Sequence, residues 1–170
     1  HSFGLEPHII KQSVKDINTL NIYLRNLIID QYSKIEFVCI KKVYEALRNN
    51  KLLLINKLDK EYNSYLTYEY TKSSINIGNN YYTHIKNQTT KDIVKEYFSL
   101  IENKKTSANE IIVLSVYAYD LDICMEDFIV MWTKKNFINI AATSLKISRI
   151  KPSEIQQMLF EFDEILQNLD

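Results

Sequence analysis

Residues that form turns are scarce in this chain, and their scarcity constrains the fold more than any other feature. Among 170 residues there are only two glycines and two prolines. A many-stranded sheet needs such residues between its strands, whereas helices joined by polar loops need few of them. Because 46% of the residues are hydrophobic, the chain can bury a substantial core. The sequence therefore predicts an all-α fold.

Apolar residues recur at intervals of three and four over almost the whole chain, which is the spacing of one buried helix face. We predict a compact single domain over residues 1–170 with about seven to eight helices. Asn18 or Thr19 is expected to cap a long helix that bends near Ser33. Pro152 is expected in the first turn of the closing helix.

Local signals place the predicted boundaries in the middle of the chain. One helix is expected over residues 54–70, and the polar stretch 73–80 is the best candidate for a loop because it contains Gly78. Ser107 and Glu110 have the spacing of a capping box, which predicts the start of another helix.

Three short predicted helices follow one another at residues 108–119, 123–133 and 137–146. Their layout resembles a helix-turn-helix unit. The usual glycine of the tight turn is missing, however, and plain helix packing is the favoured interpretation.

The segment from residue 128 to residue 153 contains no acidic residue, although acidic and basic residues are equally numerous in the whole chain, at 21 each. Trp132 and Phe137 flank its central lysine pair. A basic surface with nearby rings is typical of binding to single-stranded nucleic acid. As alternatives, acidic residues of the last helix approach these cations, and Trp132 anchors the core. The candidate phosphate contacts in this segment are Lys134, Lys135, Lys146, Arg149 and Lys151.

A second basic region recurs at seven-residue intervals, at Lys34, Lys41 and Arg48. On one helix these residues would form a stripe along which a phosphate backbone can lie. The favoured alternative is a solvated face on which Lys41 and Glu45 form a pair four residues apart.

Tyrosines are concentrated in the middle of the chain. Most are expected to line the core, some to form a protein interface, and fewest to stack on bases. Exposed tyrosines therefore support an alternative function, a helical adaptor for protein–protein interactions. The residues concerned are Tyr62, Tyr65, Tyr68, Tyr70, Tyr81 and Tyr82.

The sequence carries no recognisable catalytic motif, so we predict a protein that is not an enzyme and needs no cofactor. His1, His8 and His84 lack the spacing of a helical metal pair, and no glycine-rich phosphate loop or nucleophile elbow is present. Cys39 and Cys124 are far apart and are expected to be core thiols in a reducing compartment. The absence of a leader and of a long apolar run favours a soluble, cytoplasmic protein without membrane contact.

Two stretches carry a family resemblance, residues 1–8 (HSFGLEPH) and residues 23–30 (YLRNLIID). Together with the abundance of lysine, asparagine and isoleucine, they resemble the gametocyte-specific RNA-binding proteins of the malaria parasite Plasmodium falciparum. The resemblance implies an all-helical, homodimeric, RNA-binding phosphoprotein of early sexual differentiation, with single-stranded RNA bound through basic surfaces and little sequence specificity.

The resemblance also implies SH3-like signalling partners, which bind Pro-x-x-Pro segments. Pro7 and Pro152 cannot form such a segment, so this recognition would require parts of the protein outside the present sequence.

Overall fold

The computed structural model describes residues 14–147 and 150–167, and within these ranges the chain forms eight α-helices and no β-strand. The predicted all-α fold is confirmed. A π-helical turn at Ile28–Tyr32 follows the first helix, and a 3₁₀ turn at Asn63–Tyr65 follows the third. The helices are α1 (Ile17–Leu27), α2 (Glu36–Arg48), α3 (Leu52–Tyr62), α4 (Tyr68–Ile85), α5 (Asp92–Glu102), α6 (Glu110–Asp120), α7 (Met125–Ile147) and α8 (Pro152–Gln167).

The residues group into two compact units. Unit 1 consists of residues 1–34 and 129–170, and unit 2 consists of residues 35–128. A single domain over residues 1–170 stays a prediction for the chain as a whole.

In unit 1, α1 begins at a capping box formed by Asp16 and Thr19. The Asp16 carboxylate accepts a hydrogen bond from the Thr19 backbone N–H at 2.8 Å, and the Thr19 hydroxyl accepts one from the Asp16 N–H at 3.0 Å. The predicted caps, Asn18 and Thr19, were therefore placed too late. The long helix predicted to bend near Ser33 is wrong, because the π-helical turn and a non-helical turn at residues 33–35 separate α1 from α2.

Aromatic side chains form much of the core of unit 1. Tyr32 packs edge-on against Trp132 with ring centroids 4.9 Å apart, and Phe137 packs against Phe162 at 5.1 Å. Pro152 is the first residue of α8, as predicted.

Helix α7 is continuous through the position where the sequence predicted a break. Asn136, the expected start of a separate helix, lies fully buried inside it. The second and third helices of the predicted triplet are therefore one helix, and the prediction of a helix-turn-helix-like layout is wrong. The reason is that no glycine or proline interrupts residues 125–147.

In unit 2, α6 lies at the centre and packs against both α2 and α4. Ile111, Ile112, Val113 and Val116 are buried, so this helix is apolar on more than one face, as expected of a helix with neighbours on several sides.

Two predictions for unit 2 are wrong. The helix expected over residues 54–70 is interrupted by the 3₁₀ turn, and Thr67 caps the start of α4. Residues 73–80, the predicted loop, lie inside α4. Gly78 allows α4 to lie close to the backbone at Ala108, because a Cβ atom at position 78 would overlap the carbonyl oxygen of Ala108.

The predicted capping box of α6 is also wrong. Helix α6 begins after Asn109, two residues later than a cap at Ser107 requires. Ser107 is engaged elsewhere, since its hydroxyl accepts a hydrogen bond from the Asn63 amide at 2.9 Å.

Candidate functional site

The rings of the acid-free segment belong to the core. Phe128, Trp132 and Phe137 are 5%, 2% and 0% exposed. A base-stacking platform must present its face to solvent, and none of these rings does. The interpretation of Trp132 as a core anchor is therefore correct.

One of the cations of this segment has an acidic partner. Lys134 forms an ion pair with Asp163 of α8, as the alternative interpretation anticipated. Lys135 is half-buried and Lys151 is exposed at the start of α8. The side chain of Lys146 and the whole of Arg149 lie outside the described residues. The segment lacks acidic residues in sequence, but the fold brings one to it.

The second basic region is split by the secondary structure. Lys41 and Arg48 are exposed on α2, whereas Lys34 lies in the turn before that helix begins. The seven-residue interval therefore does not correspond to one continuous helical stripe.

The central tyrosines differ in how much of each side chain is exposed to solvent. Tyr62 and Tyr82 are buried, and Tyr82 donates a hydrogen bond to Glu102. Burial and this hydrogen bond raise the pKa of Tyr82 to about 12. Tyr65 and Tyr68, at the corner between α3 and α4, are 63% and 81% exposed. Only some of the tyrosines are thus available to a partner.

A row of exposed apolar residues on α7 was not predicted from the sequence. Exposed apolar residues recur along α7 at intervals of seven, and Met131 and Ile138 are each more than half exposed. We call this surface the α7 stripe; it consists of Met131, Ile138, Ala142 and Leu145. The spacing is that of a coiled-coil seam, and it is visible in the sequence once the helix is known to be continuous. An exposed apolar row of this kind is typical of a surface that binds another protein.

Asp59 is the centre of a buried polar cluster in unit 2. Its carboxylate is fully buried and accepts five hydrogen bonds, at 2.7–3.0 Å. The donors are the hydroxyls of Tyr97 and Thr106, the backbone N–H groups of Ala108 and Asn109, and the Asn109 amide. Burial and the neighbouring Asp59 raise the pKa of Tyr97 well above its usual value. Because Thr106, Ala108 and Asn109 all donate hydrogen bonds to Asp59, the cluster holds the loop before α6 in one conformation.

The two thiols differ in environment. Cys39 is buried, and burial, with a smaller contribution from Asp59, raises its pKa to about 12. Cys124 is exposed, so the expectation that both are core thiols holds only for Cys39. A thiol that stays protonated is a poor nucleophile, which makes Cys39 a structural residue.

The described residues also bear on metal binding and membrane insertion. Within residues 14–147 and 150–167, no three His, Cys, Asp or Glu side chains lie close enough together to hold a metal ion. None of the described helices combines the length and the hydropathy needed to cross a membrane.

Comparison with known protein families gives a match over most of the chain. The family model UreF matches residues 14–163. This match overturns the resemblance to gametocyte-specific RNA-binding proteins of the malaria parasite. RNA binding, sexual-stage function and the partners implied by that resemblance, namely RNA, a second copy and SH3-like proteins, are withdrawn with it. The resemblance was misleading because it rested on amino-acid bias and two short stretches, the first of which lies outside the described residues.

Proposed function

Because this chain belongs to the UreF family, we propose that it is a urease accessory protein that assists the insertion of nickel into urease. In this role the protein acts on other proteins and is not itself a catalyst, in agreement with the absence of catalytic motifs from its sequence. We place it in the cytoplasm. The family match is the observation that carries this proposal.

The adaptor function, which the sequence left as an alternative, is the one that this role requires. Its partners would be the urease accessory proteins UreD and UreG. We propose the α7 stripe as a contact surface for one of them. Met131 and Ile138 are apolar and more than half exposed, so a partner that covers them would remove apolar surface from water, which favours binding.

The role is tested by reconstituting urease activation. The urease and accessory proteins of the same organism are co-expressed with and without this chain, and the nickel content and activity of purified urease are measured. We expect both to fall to background when the chain is omitted. Full nickel loading without it would contradict the proposal.

The surface is tested separately by Ile138→Asp, which places a charge in the middle of the α7 stripe. We expect binding to purified UreD or UreG to weaken by about tenfold or more, because a desolvated charge is costly at an apolar contact. Phe160→Asp on α8 is the matched control, since Phe160 is 72% exposed but lies outside the stripe. Equal effects of the two substitutions, or none from Ile138→Asp in a folded protein, would exclude the stripe.

A further inference from the structure

An open surface cavity in unit 2 is lined by lysines and small polar residues. Its volume is about 590 Å³, within the range of small-molecule sites. Its lining contains three lysines, no acidic residue and no aromatic or large aliphatic residue. The lining residues are Asn56, Lys60, Lys104, Lys105, Thr106 and Ser107.

The lysines come from two chain segments that the fold brings together. Lys60 lies in the last turn of α3, and Lys104 and Lys105 follow the end of α5. All three lysines are exposed, and the buried Asp59 next to Lys60 in the chain carries the opposite charge. Cations of like charge around one cavity repel each other, and a bound anion relieves that repulsion.

One wall of the cavity is held in place by the Asp59 cluster. The Thr106 hydroxyl donates to Asp59 at 2.7 Å, and the backbone N–H of Ala108 donates to it at 2.8 Å. The loop that carries two of the three lysines is therefore anchored at both its middle and its end. Such an anchor reduces the conformational entropy that binding would otherwise cost.

Polar groups in the cavity retain hydrogen-bonding capacity. The Ser107 hydroxyl accepts from Asn63, which leaves its own hydrogen available for donation. The side-chain oxygen of Asn56 can only accept a hydrogen bond, so it does not contribute to binding an anion.

From these observations we propose that the cavity binds a compact, multivalent oxyanion, of the pyrophosphate or polycarboxylate class. Two or more negative charges match the three ammonium groups, and the hydroxyl of Ser107 supplies a further donor. The lining offers no ring on which a nucleobase can stack, which favours a ligand without a large apolar body. This site goes beyond the proposed accessory function and does not depend on it.

The competing explanation is that the lysines only stabilise helix ends. Both α3 and α5 end beside the cavity, and cations are favourable near the negative end of a helix dipole. In that case the cavity would contain only water, and anions would bind no better there than elsewhere on the surface.

Isothermal titration calorimetry with pyrophosphate and with citrate, at low and matched ionic strength, distinguishes the two explanations. We expect the titration to show one binding site for at least one of these anions. The anion that binds more tightly identifies the class of ligand. Changing Lys60, Lys104 and Lys105 together to Gln is expected to lower the affinity by about tenfold or more.

The matched control changes Lys41, Lys42 and Lys72 to Gln, three exposed lysines outside the cavity with the same total charge. We expect less than about a twofold loss from it, because screened charges at a distance contribute little. Thermal unfolding verifies that both variants are folded. Absence of binding by the wild type, or equal losses in the two variants, would refute the site. A glutamate-rich peptide that binds more tightly than either anion, and only with the cavity lysines present, would instead identify a docking site for a protein segment.

Discussion

Asp59 shows how one residue can determine the conformation of a loop and a helix start. Its two carboxylate oxygens face fixed backbone donors, since Oδ2 accepts from the N–H of Ala108 and Oδ1 from the N–H of Asn109. Ala108 is held with a φ of 61°, a left-handed conformation that is unfavourable for a residue with a side chain. The hydrogen bonds to Asp59 offset that cost.

We predict that Asp59→Asn lowers the free energy of unfolding by about 3 kcal/mol. An asparagine side chain has only one oxygen, so one of the two backbone N–H groups would face an NH₂ group instead of an acceptor. Urea unfolding followed by circular dichroism measures the change.

Asp127→Asn is the control for the Asp59 substitution, because Asp127 is exposed in the first turn of α7. Its loss should cost less than about 1 kcal/mol, the usual contribution of a charge near a helix terminus. Equal effects at the two positions would mean that the Asp59 cluster does not stabilise the fold as described.

The sequence contained little to identify Asp59 as a central residue. Its partners are 38–50 positions away, at Tyr97, Thr106, Ala108 and Asn109, and such pairings depend on tertiary structure. The acid-free segment gave a clearer signal, but the RNA-binding function inferred from it is overturned by the family match. The charge of Lys134 is balanced by Asp163, which is distant in sequence and adjacent in space.

At the scale of the element, the helices themselves were more predictable than their boundaries. The closing helix α8 was identified together with its start, because Pro152 suits a first helical turn and the buried residues that follow it have helical spacing. Helix α4 was missed because a single glycine was taken as a break. A helix tolerates one glycine, and Gly78 is used here for close packing against Ala108.

We predict that Gly78→Ala destabilises the protein by about 2 kcal/mol, although the same change in an exposed helix stabilises it by about 1 kcal/mol. The added Cβ would overlap the Ala108 carbonyl oxygen and lie 2.9 Å from the carbonyl carbon. Because these are backbone atoms, the loop before α6 has to move. Thermal and urea unfolding both report the change.

Asn80→Ala tests whether the Gly78 effect is one of packing or of helix propensity. Asn80 is exposed in the same helix, so the alanine there is expected to be neutral or stabilising by a few tenths of a kcal/mol. Stabilisation at both positions would show that α4 and the loop are not packed closely at Gly78.

The chain's connectivity gives the two units different requirements for folding. Unit 2 is one continuous segment, residues 35–128, whereas unit 1 combines segments from the two ends of the chain. Bringing the two distant segments of unit 1 together costs loop-closure entropy. This cost is smaller for unit 2, whose residues are continuous in sequence. Unit 2 also contains the whole Asp59 cluster and the central helix α6.

We therefore predict that a fragment of residues 35–128 folds by itself, with helical circular dichroism and a cooperative urea transition. Asp59→Asn should lower its stability by about as much as in the whole chain, because every partner of Asp59 is included. A fragment of residues 52–128 is the control: it lacks α2, whose Ile40, Val43 and Leu47 are buried, and should not unfold cooperatively. If the 35–128 fragment is unfolded, its core depends on residues outside it, and the proposal of a single domain over residues 1–170 gains support.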